Sequence, residues 1–308
     1  MMSPSPPHNS QTSVWSHGLL AGIAAYTIWG FFPIYFKMTE EVGALEILAH
    51  RILWSVPFGL LIIAARRQFP DVGRVFKNPK MLFWLFIAAI ALAANWGMYI
   101  WAIQIDQIFQ ASLGYYINPL LYVLVGVMFF GERLSKLQIL AVVFAVIGVT
   151  ILAVYGGVFP GISLFLACSF GLYGVIRKQV DVGAMPGLLV ETIVLLPAAI
   201  GYLIYLGQTG TIVFGPAPNH GGLSISLLML AAGPITVLPL LCFAVAARKL
   251  KLSTLGFLQF IGPTLQFCCG LYYGEPFTRA HALCFGFIWI AVLMFMWDGL
   301  RKRPAPIA

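Results

Sequence analysis

Apolar residues fill the chain almost without interruption from position 17 to position 300, and short polar turns break the run at intervals of about 30 residues. An α-helix rises about 1.5 Å per residue, so roughly 20 apolar residues cross a hydrocarbon core about 30 Å thick with every backbone polar group bonded internally. The pattern predicts ten such spans, at 17–37, 45–65, 81–103, 108–130, 136–155, 161–178, 186–206, 223–247, 253–273 and 280–299. The expected fold is therefore all-α, a polytopic membrane protein of ten transmembrane helices.

The composition is 60% hydrophobic and 9% charged, too apolar for a water-soluble surface. A net charge of +8 raises the question of nucleic acid, and the positions of the 18 Lys and Arg residues answer it. With the N-terminus in the cytoplasm, fifteen fall on the cytoplasmic side, in the turns around 66–80, 133–136, 177–178 and 248–251 and at 301–303. Only Lys37 and Arg279 fall outside, and Arg51 lies within span 2. This asymmetry places both termini in the cytoplasm and turns the positive charge toward anionic lipid headgroups, so no nucleic-acid partner is implied. The five cysteines (168, 242, 268, 269 and 284) sit in apolar runs without CxxC spacing or paired histidines, so no metal or cofactor is expected. Residues 1–16 contain no Lys or Arg, unlike a signal peptide, and their Ser, Pro and His content suggests a disordered tail.

The two halves resemble each other at an offset near 142 residues. Trp29-Gly30 matches Tyr173-Gly174, Pro57 matches Pro197, Phe130-Gly131-Glu132 matches Tyr273-Gly274-Glu275, and Ser135-Lys136 matches Thr278-Arg279. Five spans per half is an odd number, so the second half enters the membrane upside down. The expected organisation is a 5+5 inverted repeat, with halves at 17–155 and 161–299 and a short basic cytoplasmic tail at 300–308.

Several motifs carry a family resemblance: Trp29-Gly30, Pro33-Ile34-Tyr35-Phe36-Lys37, the run Glu46 to Ser55, Asn95-Trp96, and Ala111-Ser112-Leu113-Gly114-Tyr115-Tyr116-Ile117-Asn118-Pro119. Glu191-Thr192, Leu195-Leu196-Pro197, the run Leu252 to Phe257 and Ile261-Gly262-Pro263-Thr264 continue it through the second half. The chain resembles the RarD family, in the EamA branch of the drug/metabolite transporter superfamily. That resemblance implies a ten-helix permease of the bacterial inner membrane that moves small organic solutes, often outward. It supplies no substrate, and the outer loop Gly207 to Gly222 matches none of its motifs.

Ionisable groups inside a span are costly to desolvate, so each is a functional candidate. His50, Arg51 and Glu191 qualify, with Lys37 at the outer end of span 1. Depth arithmetic at 1.5 Å per residue separates Arg51 from Glu191 by roughly 13 Å along the membrane normal, which argues against a direct ion pair. Arg51 and His50 are the expected outer gate, and Glu191 with Arg177 or Lys178 the inner one; the competing reading is that these groups are static glue or snorkel to the headgroups. A proton carried by His50 or Glu191 is a candidate coupling partner. The same arithmetic sets Trp29, Asn95, Asn118, Tyr173, Thr236 and Gln266 near the midplane, as candidates to line a solute cavity or, alternatively, to bond helix to helix. Prolines at 33, 57, 119, 197, 234, 239 and 263 fall inside spans as hinges or fixed bends. An intramembrane enzyme would need a nucleophile with its base, a carboxylate pair or metal ligands, and the spans show none of these. A membrane assembly or receptor subunit is the other alternative to a transporter, and a cavity reaching the midplane would distinguish them.

Overall fold

A computed structural model describes residues 9–130, 134–157, 159–215, 222–250 and 252–301. Gly131, Glu132 and Pro218 lie outside the described residues, so one member of the Glu132/Glu275 repeat match is not seen. The described residues form helices throughout: α1 (Asn9–Gly30), α2 (Phe32–Met38), α3 (Ala44–Ala65), α4 (Phe69–Phe76), α5 (Pro79–Gln104), α6 (Ile108–Phe130) and α7 (Lys136–Val154). After these come α8 (Gly161–Gln179), α9 (Ala184–Thr209), α10 (Gly222–Lys249), α11 (Leu252–Leu258), α12 (Ile261–Tyr272) and α13 (Arg279–Arg301). Nine spans among the described residues are long and apolar enough to cross a membrane, and α6, at 23 residues, occupies the remaining expected span, the fourth. The protein is an all-α, multi-pass membrane protein.

Three features depart from the sequence expectation. The first helix begins at Asn9, inside the segment expected to be a disordered tail. Spans 1 and 9 are each broken in two, at Phe31 and at Gln259–Phe260, ahead of Pro33 and Pro263. Proline fits the first turn of a restarting helix because its missing N–H has no intrahelical partner there. The third departure is α4, a short helix in a turn expected to be irregular. It lays Val72 and Val75 against a cluster with Ile63, Leu85, Ile176 and Leu189 and leaves its charged face outward.

Outward faces are as apolar as the interior: Val146 of α7 is 58% exposed and Leu293 of α13 is 64% exposed, which suits lipid and not water. The main helix pairings fall into mates. α1 packs on α10 as α8 packs on α5, α3 on α10 as α9 on α5, and α6 on α8 as α12 on α1. The pairings α3 with α9, α6 with α12 and α7 with α13 are each their own mate. α10 and α3 approach closely at Gly233, where a Cβ would lie 2.3 Å from the carbonyl oxygen of Trp54 on α3.

Candidate functional site

These pairings leave a cavity of about 470 Å³ among α1, α2, α3, α5, α6, α8, α9, α10 and α12. Trp29, Asn95, Asn118, Tyr173, Thr236 and Gln266 all line it, together with Arg51 and Arg177. Much of the remaining wall is aromatic, from Tyr26, Phe32, Trp96, Tyr99, Tyr115, Phe170 and Phe243, and the rest is mainly aliphatic. The sequence reading did not single these rings out as cavity candidates, since an aromatic in an apolar helix faces lipid or cavity with equal ease; Trp96 and Tyr115 stood only within the family motifs.

The amides differ in how they are used. Asn95 Nδ2 donates to the Leu166 carbonyl and to Ser169 Oγ, each at 2.9 Å, and Tyr115 OH donates to Asn95 Oδ1 at 3.2 Å, so Asn95 is held on both sides and joins α5 to α8. Gln266 Nε2 donates to the Trp29 carbonyl at 3.2 Å, which leaves its Oε1 buried without a partner among the described residues. Asn118 Oδ1, Tyr99 OH and Arg177 Nη1 are in the same state. A buried polar atom without a partner is costly, and four of them on one cavity wall form a surface with hydrogen bonds still to make.

The charged candidates separate. Arg51 is 3% exposed; its Nε donates to Thr236 Oγ1 at 3.0 Å, and its guanidinium lies 4.5 Å from the Trp96 ring centroid, 5.5 Å from Phe36 and 5.6 Å from Phe32. His50 does not join it. Successive residues on a helix point about 100° apart, so His50 turns away to the loop after α9. There it packs against Phe214 with ring centroids 4.8 Å apart, accepts a hydrogen bond from Trp54 Nε1 at 3.2 Å and approaches Glu46 to 4.0 Å. Glu191 pairs with Arg177 at 3.5 Å and accepts a hydrogen bond from Tyr173 OH at 3.3 Å, while Lys178 is exposed and lies off the cavity wall. Arg51 and Glu191 make no direct contact. Lys37 lies 2.6 Å from Asp106 and 3.5 Å from Glu40 in the last turn of α2.

Glu46 is a residue the sequence reading passed over as a candidate. Its carboxylate, 3% exposed, accepts the backbone N–H groups of Val213 at 3.0 Å and Phe214 at 3.1 Å, and so draws the loop after α9 down onto α3. The signal was an acid in the first turn of an apolar span, a place that reads equally as interface.

Comparison with known proteins follows the same outline. The EamA-like transporter family matches residues 16–154. Protein RarD of Salmonella typhi is 44% identical over 287 residues, which cover 93% of this chain and 96% of that protein. The chain belongs to the RarD family. This RarD-family chain is also 48% identical over 289 residues to an uncharacterized transporter of Vibrio cholerae, covering 94% of each. The chloramphenicol-sensitive protein RarD of Pseudomonas aeruginosa is 33% identical over 289 residues, 92% of this chain and 95% of its own. A solved crystal structure 20% identical to this chain aligns with a TM-score of 0.58 over 93% of this chain and 98% of the other, which shows a shared fold. RarD-family membership makes the protein a transporter of the drug/metabolite superfamily.

Proposed function

We propose that the protein is a secondary transporter of small organic solutes in the bacterial inner membrane, with both termini cytoplasmic, working by alternating access to the cavity. The observation that carries this reading is the origin of the cavity wall. Trp29, Asn95 and Asn118 come from the first half and Tyr173, Thr236 and Gln266 from the second, so a relative movement of the halves would reshape the site from both sides. The mated helix pairings support halves related as an inverted repeat, an arrangement that secondary transporters use to exchange inward and outward access. A solid bundle would instead have favoured an assembly or receptor role.

In this reading Arg177 and Glu191 help close the inner end, with Lys178 beside them, and Arg51 and His50 act toward the outer end, His50 through the loop held by Glu46. A proton on His50 or Glu191 is the candidate coupling ion. The deciding experiment compares metabolites retained by cells lacking and overproducing the protein, then measures counterflow of those metabolites in proteoliposomes. Absence of counterflow for every one of them rejects the transporter reading. Full flux in both Glu191→Gln and Arg51→Gln ends the gating assignment, and flux indifferent to an imposed pH gradient excludes proton coupling.

A further inference from the structure

Resting on that reading, the charges in the cavity wall narrow the class of solute. Two guanidinium groups, Arg51 and Arg177, face the cavity. Arg177 has the Glu191 carboxylate at 3.5 Å, whereas no carboxylate among the described residues comes within 4.0 Å of Arg51. What surrounds Arg51 is Thr236 Oγ1 and the faces of Trp96, Phe36 and Phe32. Ring faces attract a cation, but they do not replace the counter-charge that an ion desolvated inside a membrane needs. The wall therefore carries one net positive charge beside unpartnered acceptors, Gln266 Oε1 and Asn118 Oδ1.

We infer that the transported solute is a small organic monoanion whose carboxylate pairs with Arg51, whose apolar or aromatic body lies among the Trp29, Trp96, Tyr99 and Tyr115 rings, and whose N–H or O–H donor meets Gln266 or Asn118. The chemistry at Arg51 is specific. Its Nε is engaged by Thr236, so the Nη1–Nη2 end of the planar fork remains, which matches a carboxylate in bidentate geometry. One surplus charge favours a monoanion over a dianionic phosphate, which would leave a negative charge buried.

The test uses the full chain in lipid nanodiscs, with binding followed by quenching of tryptophan fluorescence, since Trp29 and Trp96 line the cavity. Probes are hippurate and N-acetylphenylalanine, each against its primary amide and against phenethylamine as a cation of similar body. Each acid should bind about tenfold or more tightly than its amide, the margin expected of hydrogen bonds to a charged group. Arg51→Gln should abolish that margin and Arg51→Lys should keep part of it, in variants that elute as the parent does. Because the acid/amide comparison is made on the unaltered protein, misfolding of a variant leaves the inference testable. Equal binding of acid and amide, preference for phenethylamine, binding of none of the probes, or an acid preference that survives Arg51→Gln would each overturn it. Acid binding through Arg51 without counterflow of the bound acid would uphold the anion site and reject the transporter reading.

Discussion

Arg177 Nε lies 3.5 Å from Glu191 Oε1, tying the end of α8 to α9 beside the cavity. Both are substantially removed from solvent, their side chains 14% and 1% exposed, so removing one partner leaves the other charged and buried. Such a loss costs about 3–5 kcal/mol, whereas removing both costs less than the sum. Glu191→Gln and Arg177→Gln should each lower the thermal unfolding midpoint in detergent, and the double variant should lie above the additive expectation. A coupling below about 0.5 kcal/mol in the double-mutant cycle would reject the pair as a structural unit.

That ion pair also shows what was legible in the sequence and what was not. Counting 1.5 Å per residue gives each side chain a depth, and depth alone grouped Trp29, Asn95, Asn118, Tyr173, Thr236 and Gln266, all of which line the cavity, and separated Arg51 from Glu191. Depth carries no information about which way a side chain points around its helix. His50 and Arg51 have neighbouring depths and different surroundings. The cavity rings were hidden because lipid and protein interior are equally apolar, so a spanning helix shows little contrast between its two faces. The fragment α4 was lost for a different reason: eight residues flanked by Arg66, Arg67, Gln68, Lys77 and Asn78 look like a turn until Val72 and Val75 find an apolar surface.

Two glycines separate a local effect from a global one. At Gly187 a Cβ would lie 2.2 Å from Arg177 Nη1, the mobile tip of a long side chain, and at Gly233 it would lie 2.3 Å from the Trp54 carbonyl, which is backbone. Gly187→Ala should therefore displace the guanidinium from Glu191 and alter transport while the protein still purifies as a single species. Gly233→Ala should force α10 away from α3 and lower the unfolding midpoint by more than Gly187→Ala, since overpacking a tight contact costs about 1–3 kcal/mol or more. Equal midpoints for the two variants would contradict this account.

Glu46 should control the order of the loop after α9. Its carboxylate accepts both the Val213 and Phe214 N–H groups, and bonds to a charged acceptor are worth about 1.5–3 kcal/mol. Glu46→Ala should raise hydrogen exchange at these two amides by tenfold or more, with Glu46→Gln intermediate because its carbonyl oxygen still accepts. Exchange unchanged in Glu46→Ala would show that Phe214 is held by its ring contact with His50 and not by the carboxylate.

Glu275, between α12 and α13, gives the protein a pH-dependent element outside the spans. Burial pushes its carboxyl up to about 7, opposed by the backbone N–H groups of Phe109 and Ile108 at the start of α6; Asp106 adds to the rise and Lys37 opposes it. The Phe109 N–H reaches Glu275 Oε2 at 2.9 Å, so the group caps α6 from 166 residues away. Because the folded state holds this proton more tightly than the unfolded chain, with its ordinary value of 4.5, the associated stability is fully present below about pH 4.5 and is lost as pH rises through about 7. The unfolding midpoint of the parent protein should therefore fall between pH 5.5 and pH 8. Glu275→Gln keeps a carbonyl oxygen for the Phe109 N–H and has no proton to lose, so its midpoint should fall less over the same interval. Parallel pH profiles for the two proteins would remove Glu275 as the source of the dependence.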